Sequence, residues 1–333
     1  MISKSLNLAV DMYGCPNRCA HCWLGHMPNR RMEDGADDFI ANFFRPFFDK
    51  VAFYSWVREP DYCSDYIKRW KKDITLSKNT VPQRFELASF YRIARDEQYI
   101  PFLKSAGVKK VQLSFFGLQK TQDKYVGRTG AFDEVLKAAD LLINGGIVPR
   151  LQCFINEENR EEIVQILRLA EEIRQNKCPN LEFFVHEGSC EGENRKLYPI
   201  RIQKQHIPDL LIPFYLDFDK RLTERECCER LKDNSSRPSF ELDDEITLFV
   251  SNEYDVYYNF TNMSRPWIIG NLKKDKPKNL IPRIVGGKSF AFRQAKTCTW
   301  SELVAKYGDF KSDKVFSLYD YKIYLFNNFL EAN

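Results

Sequence analysis

Six short runs of strand-like sequence, at 6–12, 50–56, 84–89, 108–115, 148–155 and 181–187, alternate with helix-like stretches near 37–48, 61–71, 95–106, 131–145 and 158–175. Strands that alternate with helices pair in parallel, because each helix returns the chain to the same end of the sheet. The clearest helix is 159–173, where Ile163, Ile166, Leu167, Ala170 and Ile173 make one apolar stripe that a sheet must cover. Right-handed crossovers wind such units one way, toward an open or partial barrel. The runs are unusual in alternating polar with apolar residues, whereas doubly covered parallel strands are apolar on both faces. If the apolar set faces the helices, then Asp11, Glu86, Gln112, Ser114, Arg150, Gln152 and His186 face the lumen. A polar lumen is costly unless filled by ligand or water, or paired with itself.

Just after the first run stands Cys15-Pro-Asn-Arg-Cys19-Ala-His-Cys22, three thiols at C-x3-C-x2-C spacing. Electron-carrying clusters are usually closed by four cysteines, so three in one loop can hold three irons and leave a fourth open. With His26 the same stretch reads C-x3-C-x2-C-x3-H, which would close a structural zinc site in a binding protein. The loop position favours the cluster, because sites of parallel barrels form at the carboxyl ends of strands.

The thiol spacing, the loop position and the ring of His21 before the third cysteine resemble the signature of the radical S-adenosylmethionine (radical SAM) superfamily. The resemblance covers about residues 5–190 and implies an α/β fold, a partial (βα)6 TIM-like barrel. It also implies a 4Fe-4S cluster on Cys15, Cys19 and Cys22, with S-adenosyl-L-methionine chelating the open iron through its amino and carboxyl groups. In that family the reduced cluster cleaves the sulfonium, and a 5′-deoxyadenosyl radical takes hydrogen from substrate. The cofactors carry the chemistry, while the protein binds and orients them.

Trp56-Val-Arg-Glu59-Pro60 is similar to the family's Gly-Gly-Glu-Pro turn with both glycines replaced, and places Glu59 toward the methionyl ammonium. Val57 and Arg58 cannot adopt positive φ cheaply, which puts the backbone approach of that turn at issue. The run from Ser114 through Gly117 to Arg128-Thr-Gly130 is similar to the family's strand, glycine turn and Arg-x-Gly segment, with Gln122 where histidine is common. The resemblance assigns Ser114 to the ribose or carboxylate and Arg128 to the carboxylate; with His21 and Glu59 these are the cofactor-binding candidates. Asn156 and Asn159 are expected to cap the helix after the fifth strand. Alternation alone offers Tyr54, Trp56, Arg150 and His186 as substrate-side candidates.

From about residue 191 the strand–helix rhythm is lost. Residues 246–259 followed by Trp267-Ile-Ile-Gly270-Asn-Leu272 look like the hairpin and closing Gly-Asn-Leu of the auxiliary-cluster extensions called SPASM or twitch domains. The usual cysteines are absent there, Tyr258 and Asn259 standing where a ligand would follow. The expected organisation is a barrel core at 1–190 and a smaller extension at 191–333 that covers it without a cluster. Cys178, Cys190, Cys227, Cys228 and Cys298 leave a two-cluster, peptide-maturing enzyme as the alternative.

At 333 residues, 44% apolar and 29% charged, the chain can bury a large core, and no apolar run reaches membrane-spanning length. A net charge of +4 with two short lysine-rich runs does not mark a nucleic-acid partner. The first ten residues are too short and too alternating for a signal peptide, and ten cysteines without framework spacing read as thiols or ligands; a cytoplasmic location is expected. The implied partners are an organic small-molecule or peptide substrate and a low-potential electron donor, flavodoxin- or ferredoxin-like.

Overall fold

The computed structural model describes residues 2–84, 86–240 and 244–333. The strands are β1 Ile2–Val10, β2 Phe48–Tyr54, β3 Lys110–Phe115, β4 Val148–Phe154, β5 Glu182–His186, β6 Leu222–Thr223, β7 Glu245–Val250, β8 Asp255–Tyr258, β9 Gly270–Asn271 and β10 Val315–Phe316. The helices of the first half are α1 Ala36–Phe44, α2 Tyr66–Leu76, α3 Phe90–Ile93, α4 Tyr99–Ser105, α5 Gln119–Val126, α6 Ala131–Asn144 and α7 Arg160–Asn176. Those of the second are α8 Glu224–Leu231, α9 Pro277–Val285, α10 Phe290–Gln294, α11 Trp300–Tyr307 and α12 Leu318–Ala332.

Five of the six expected runs are strands, in two parallel blocks: β3-β4-β5, and β2-β1 within the longer sheet β2-β1-β7-β8-β9. The third run, 84–89, forms no strand among its described residues, and Phe85 lies outside them. The outer edge of β2 is already capped: Phe53 N–H donates to Ser77 Oγ (2.9 Å), Ser55 N–H to an Asp73 carboxylate oxygen (3.0 Å), and Val51 pairs with Lys78. With those donors taken, the third segment bonds its backbone to β3, through Gln112 N–H to the Glu86 carbonyl (2.8 Å).

Burial follows the alternation. Val111, Leu113 and Phe115 of β3, Leu151 and Cys153 of β4, and Phe183 and Val185 of β5 pack on Ile163, Ile166, Leu167 and Ala170 of α7 and their neighbours. Leu6, Leu8 and Val10 of β1 pack with Ile40 and Phe44 of α1 and with Leu248 of β7. Each such side chain contributes about 1.5–3 kcal/mol on burial.

The second half is woven into the first. β7 runs parallel to β1 in the register Leu6–Ile246, Leu8–Leu248, Val10–Val250. β8 turns back antiparallel and carries β9 at Gly270-Asn271, so the expected hairpin and its Gly-Asn-Leu closure are both formed. A third core gathers Trp267, Trp300, Phe316, Tyr321 and Phe326 from this half with Leu24 from the loop after the third cysteine. No helix among the described residues is long and apolar enough to cross a membrane.

Candidate active site

At the carboxyl ends of β1–β5 opens a cavity of about 870 Å³, whose walls include Cys15, Cys19, Cys22, His21, Trp56, Glu59, Ser114, Gln152, His186 and Glu191. That volume lies within the range of cofactor and ligand sites. The cysteine loop between β1 and α1 has no regular structure, so other elements hold it. Arg18 and Ala20 N–H donate to the Val126 and Tyr125 carbonyls at the end of α5 (2.9 and 2.8 Å), which fixes Cys19 between them. Glu193 N–H reaches the Cys22 carbonyl (2.8 Å), and Met263 N–H the Leu24 carbonyl (3.0 Å).

Burial pushes all three thiols up; Glu59 adds to this at Cys15, and Cys22 and Glu59 at Cys19. Such thiols lose their protons when a cation takes them as ligands. Asn17 N–H points at Cys15 Sγ (3.4 Å), the kind of donor that tunes a thiolate-bound cluster. A single zinc ion is a poorer fit. Its four ligands must converge within ~2.3 Å of one point, and the fourth that the spacing offers, His26, is engaged with other groups. His26 Nε2 lies 3.1 Å from the Cys19 carbonyl oxygen and its Nδ1 3.7 Å from Glu193. A cluster meets each thiolate at a different iron, so it does not need that convergence.

Glu59 stands in the same cavity with one carboxylate oxygen buried and without a hydrogen-bond partner. Burial pushes its carboxyl up to about 7, against a hydrogen bond from Ser89 and the pull of Arg128. A buried acid in this state gains most from a cation brought by a ligand. The replaced glycines do no harm to the turn: neither Val57 nor Arg58 is among the described non-glycine residues at positive φ. Instead Arg58 turns its guanidinium onto Asp11, a use that its reading as a lost glycine did not anticipate.

His21 lies between Phe116 and Phe154, with ring centroids 4.2 and 4.4 Å away. Burial first, and His186 second, push its imidazole down to about 3, so it is a neutral ring. Gln122, in the place where histidine is common, closes the end of β3: its amide accepts from Phe116 N–H (2.7 Å) and donates to the Ser114 carbonyl (3.0 Å). Asn159 does not cap α7 with its side chain. It spans the ends of two strands, donating to the Phe116 and Phe154 carbonyls (2.7 and 2.8 Å), while Asn156 accepts from Glu158 and Asn159 N–H.

The cavity floor is a polar chain across β3, β4 and β5. Gln112 and Ser114 reach the Gln152 amide (2.6 and 3.4 Å), whose other end is 2.6 Å from His186 Nε2. Gly188 N–H donates to His186 Nδ1 (3.1 Å), while the Gln152 oxygen accepts from Gln112 and Ser114 and its amide nitrogen faces His186 Nε2. Burial pushes His186 down to about 4, helped by Arg221 and Arg201. With an unfolded value near 6.5, the unfolded chain binds the proton first as pH falls, so folding weakens from pH 6.5 down to about 4, by up to about 3 kcal/mol. Replacing His186 with Gln is expected to remove that part of the slope in urea-unfolding midpoints of the metal-free protein between pH 4 and 7. An unchanged slope would mean that His186 takes up its proton in the fold as readily as in the unfolded chain.

The remaining candidates divide between the cavity and its surroundings. Trp56 lines the cavity with His186. Tyr54 lies below it, its hydroxyl accepting from Gln83 N–H (3.1 Å). Arg150, two residues before Gln152 on β4, pairs with Glu86 and Glu182 (both 2.7 Å) at the opposite end of the lumen. Arg128 pairs with Glu134 and donates to Asn17 Oδ1 (3.0 Å), which makes it a support for the cysteine loop. Of the later cysteines, Cys190, Cys227, Cys228 and Cys298 are buried in the third core, where the Cys228 sulfur lies 3.0 Å from the Tyr321 hydroxyl. Cys178 packs at the edge of the first core.

Residues 10–170 match the family model of the radical SAM superfamily. An Fe-coproporphyrin III synthase of Methanosarcina barkeri is 34% identical over 89 residues, 27% of this chain and 22% of the relative. A probable GTP 3′,8-cyclase of Saccharolobus islandicus is 28% identical over 81 residues, 24% of this chain and 26% of the relative. The match thus spans about a quarter of each curated relative's length. A solved structure of native anSMEcpe with bound AdoMet and Kp18Cys peptide superposes with a TM-score of 0.55 at 14% identity, covering 98% of this chain and 99% of that one. The anSMEcpe structure with AdoMet alone gives 0.53 at 16%, covering 98% and 96%, and both likenesses are of fold. The three-thiol loop at the mouth of a partial barrel lies within residues 10–170, and the match over that stretch shows that this chain carries a radical SAM domain.

Proposed function

We propose that this chain uses S-adenosylmethionine and one 4Fe-4S cluster, held by Cys15, Cys19 and Cys22, to act on a small-metabolite or peptide substrate. When bound, the cluster and S-adenosylmethionine supply a one-electron route to breaking a substrate C–H bond. The observation that carries the reading is the unpaired, buried oxygen of Glu59 in the cavity that holds the three thiols. Glu59 takes the methionyl ammonium, His21 and the rings beside it make an aromatic wall, and Ser114 offers a hydroxyl from the floor. Arg128 serves the cofactors through Asn17 and the cysteine loop. Residues 1–190 act as the catalytic core and 191–333 as its cover. A peptide substrate is supported by the peptide-bound fold relative, and a low-potential protein donor supplies the electron.

The test is Glu59→Gln in anaerobic, cluster-loaded protein. Losing one charge-assisted pair, ~1.5–3 kcal/mol, should weaken S-adenosylmethionine binding by about 10- to 100-fold. Release of 5′-deoxyadenosine under dithionite should fall with it at limiting cofactor. Wild-type protein that carries the cluster and yet neither binds nor cleaves S-adenosylmethionine would overturn the reading.

A further inference from the structure

The cysteine loop closes through a neck built from three distant parts of the chain. Asp11, just past β1 and 1% exposed, accepts Gly14 N–H and takes Arg58 side-on, with Nε to one oxygen (3.1 Å) and Nη2 to the other (2.8 Å). The same guanidinium donates onward to the Met27 carbonyl (3.3 Å) and the Pro28 carbonyl (3.1 Å), at the far end of the loop. Asn252, in the turn after β7, uses one amide for both sides: its nitrogen reaches Asp11 (3.3 Å) and the Pro28 carbonyl (2.7 Å). Asn29 returns to the start of the loop, accepting Cys15 N–H (2.8 Å). Arg58 is 8% exposed, and four of its five N–H donors point at these partners. A lysine has no such fork and a glycine has nothing to offer.

We propose that Arg58, Asp11 and Asn252 form a clamp that positions the cysteine loop, which makes the carboxyl-terminal half a working part of the cluster site. The clamp stands where the resemblance calls for glycine. By resemblance alone, Arg58→Gly is a harmless return to the family turn; by the contacts above, it opens the loop. Arg58 and Asn252 donate to the loop backbone and to Asp11, and the Arg58 charge also favours the Cys15 and Cys22 thiolates; Asn252 is therefore the pure positioning residue, and Arg58→Lys, which keeps the charge, isolates the positioning part at Arg58. An open loop gives up closure that the chain must otherwise pay in conformational entropy.

The experiment compares wild type with Arg58→Gly, Arg58→Lys and Asn252→Ala. In metal-free protein, trypsin should cut after Arg30 or Arg31 about tenfold faster in each variant, the factor expected for losing one charge-assisted hydrogen bond. In anaerobic holoprotein, the electron paramagnetic resonance spectrum of the reduced cluster should broaden and its reduction potential shift, and Lys at 58 should not restore either. A purely structural role would move the unfolding midpoint and leave spectrum and potential alone. Wild-type cleavage and an unchanged spectrum in Arg58→Gly overturn the clamp. If Arg58→Gly does not fold, Asn252→Ala decides, since it removes only a neutral amide; wild-type behaviour there overturns the contribution of the carboxyl-terminal half. The spectroscopic arm rests on the proposed cluster, whereas the proteolysis arm does not, so a wild type without iron fails the functional reading and leaves the clamp to be judged on cleavage.

Discussion

Cys19→Ala is expected to lose the iron: from about four irons with matching sulfide per chain in protein purified without oxygen to nearly none. Cys19 is the middle thiol, and the backbone on both sides of it is pinned to the end of α5 through Arg18 and Ala20. The loop therefore cannot slide a neighbouring side chain into its place. His26→Ala should leave iron and sulfide unchanged, because the imidazole faces the Cys19 carbonyl and Glu193. The pair of variants separates the two chemistries that three thiols and a histidine allow. Retention of iron in Cys19→Ala, or release of one zinc in His26→Ala, would return the loop to a structural metal site.

Much of the cavity could be read from period-two alternation, and its limits are as instructive as its successes. Gln112, Ser114, Gln152 and His186 do share the lumen face of β3, β4 and β5, because successive side chains on a strand point to opposite faces. Alternation gives the face and not the depth. Arg150 shares that face with Gln152, yet one pleat repeat lower it meets Glu86 and Glu182 and never reaches the cavity. Arg128 was legible as a charge near the site, while its pairing with Glu134, six residues on in the first turn of α6, was not, since it depends on how the turn between α5 and α6 bends the chain back. The third strand was misread for a related reason. Its sequence pattern is strand-like, but the edge of β2 that it would pair with is taken by Ser77 and Asp73 at the end of α2. The hairpin at 245–258 was visible in sequence, whereas its docking beside β1 joins residues some 240 positions apart, and no local pattern encodes such a pairing. Asp11 and Arg58 carried a usable signal: an acid after the first strand and a base after its parallel neighbour fall side by side once β1 and β2 pair.

The segment after β5 is expected to matter to the cysteines as much as the loop itself, and glycine substitutions expose this. Gly192 has φ +53°, and a Cβ there would lie 2.4 Å from the Cys22 carbonyl oxygen, 2.5 Å from that of Trp23 and 2.6 Å from Gly25 N. Those three atoms are backbone within one turn, tied by Gly25 N–H to the Cys22 carbonyl (3.1 Å) and by Glu193 N–H to the same oxygen (2.8 Å). They cannot yield without shifting Cys22. Gly192→Ala should therefore release the cluster to a chelator at least about tenfold faster than wild type, the factor for ~1.4 kcal/mol of lost positioning. Gly25→Ala supplies the control. It too has positive φ, at +86°, but nothing lies within 4 Å of its added Cβ, so it pays only the left-handed strain of ~1–2 kcal/mol. Its cost should appear as a lower unfolding midpoint of the metal-free protein, with a smaller change in cluster release. If the two variants lose the cluster at the same rate, the close approach of residue 192 to the cysteine loop does not govern cluster retention, and backbone strain alone accounts for both.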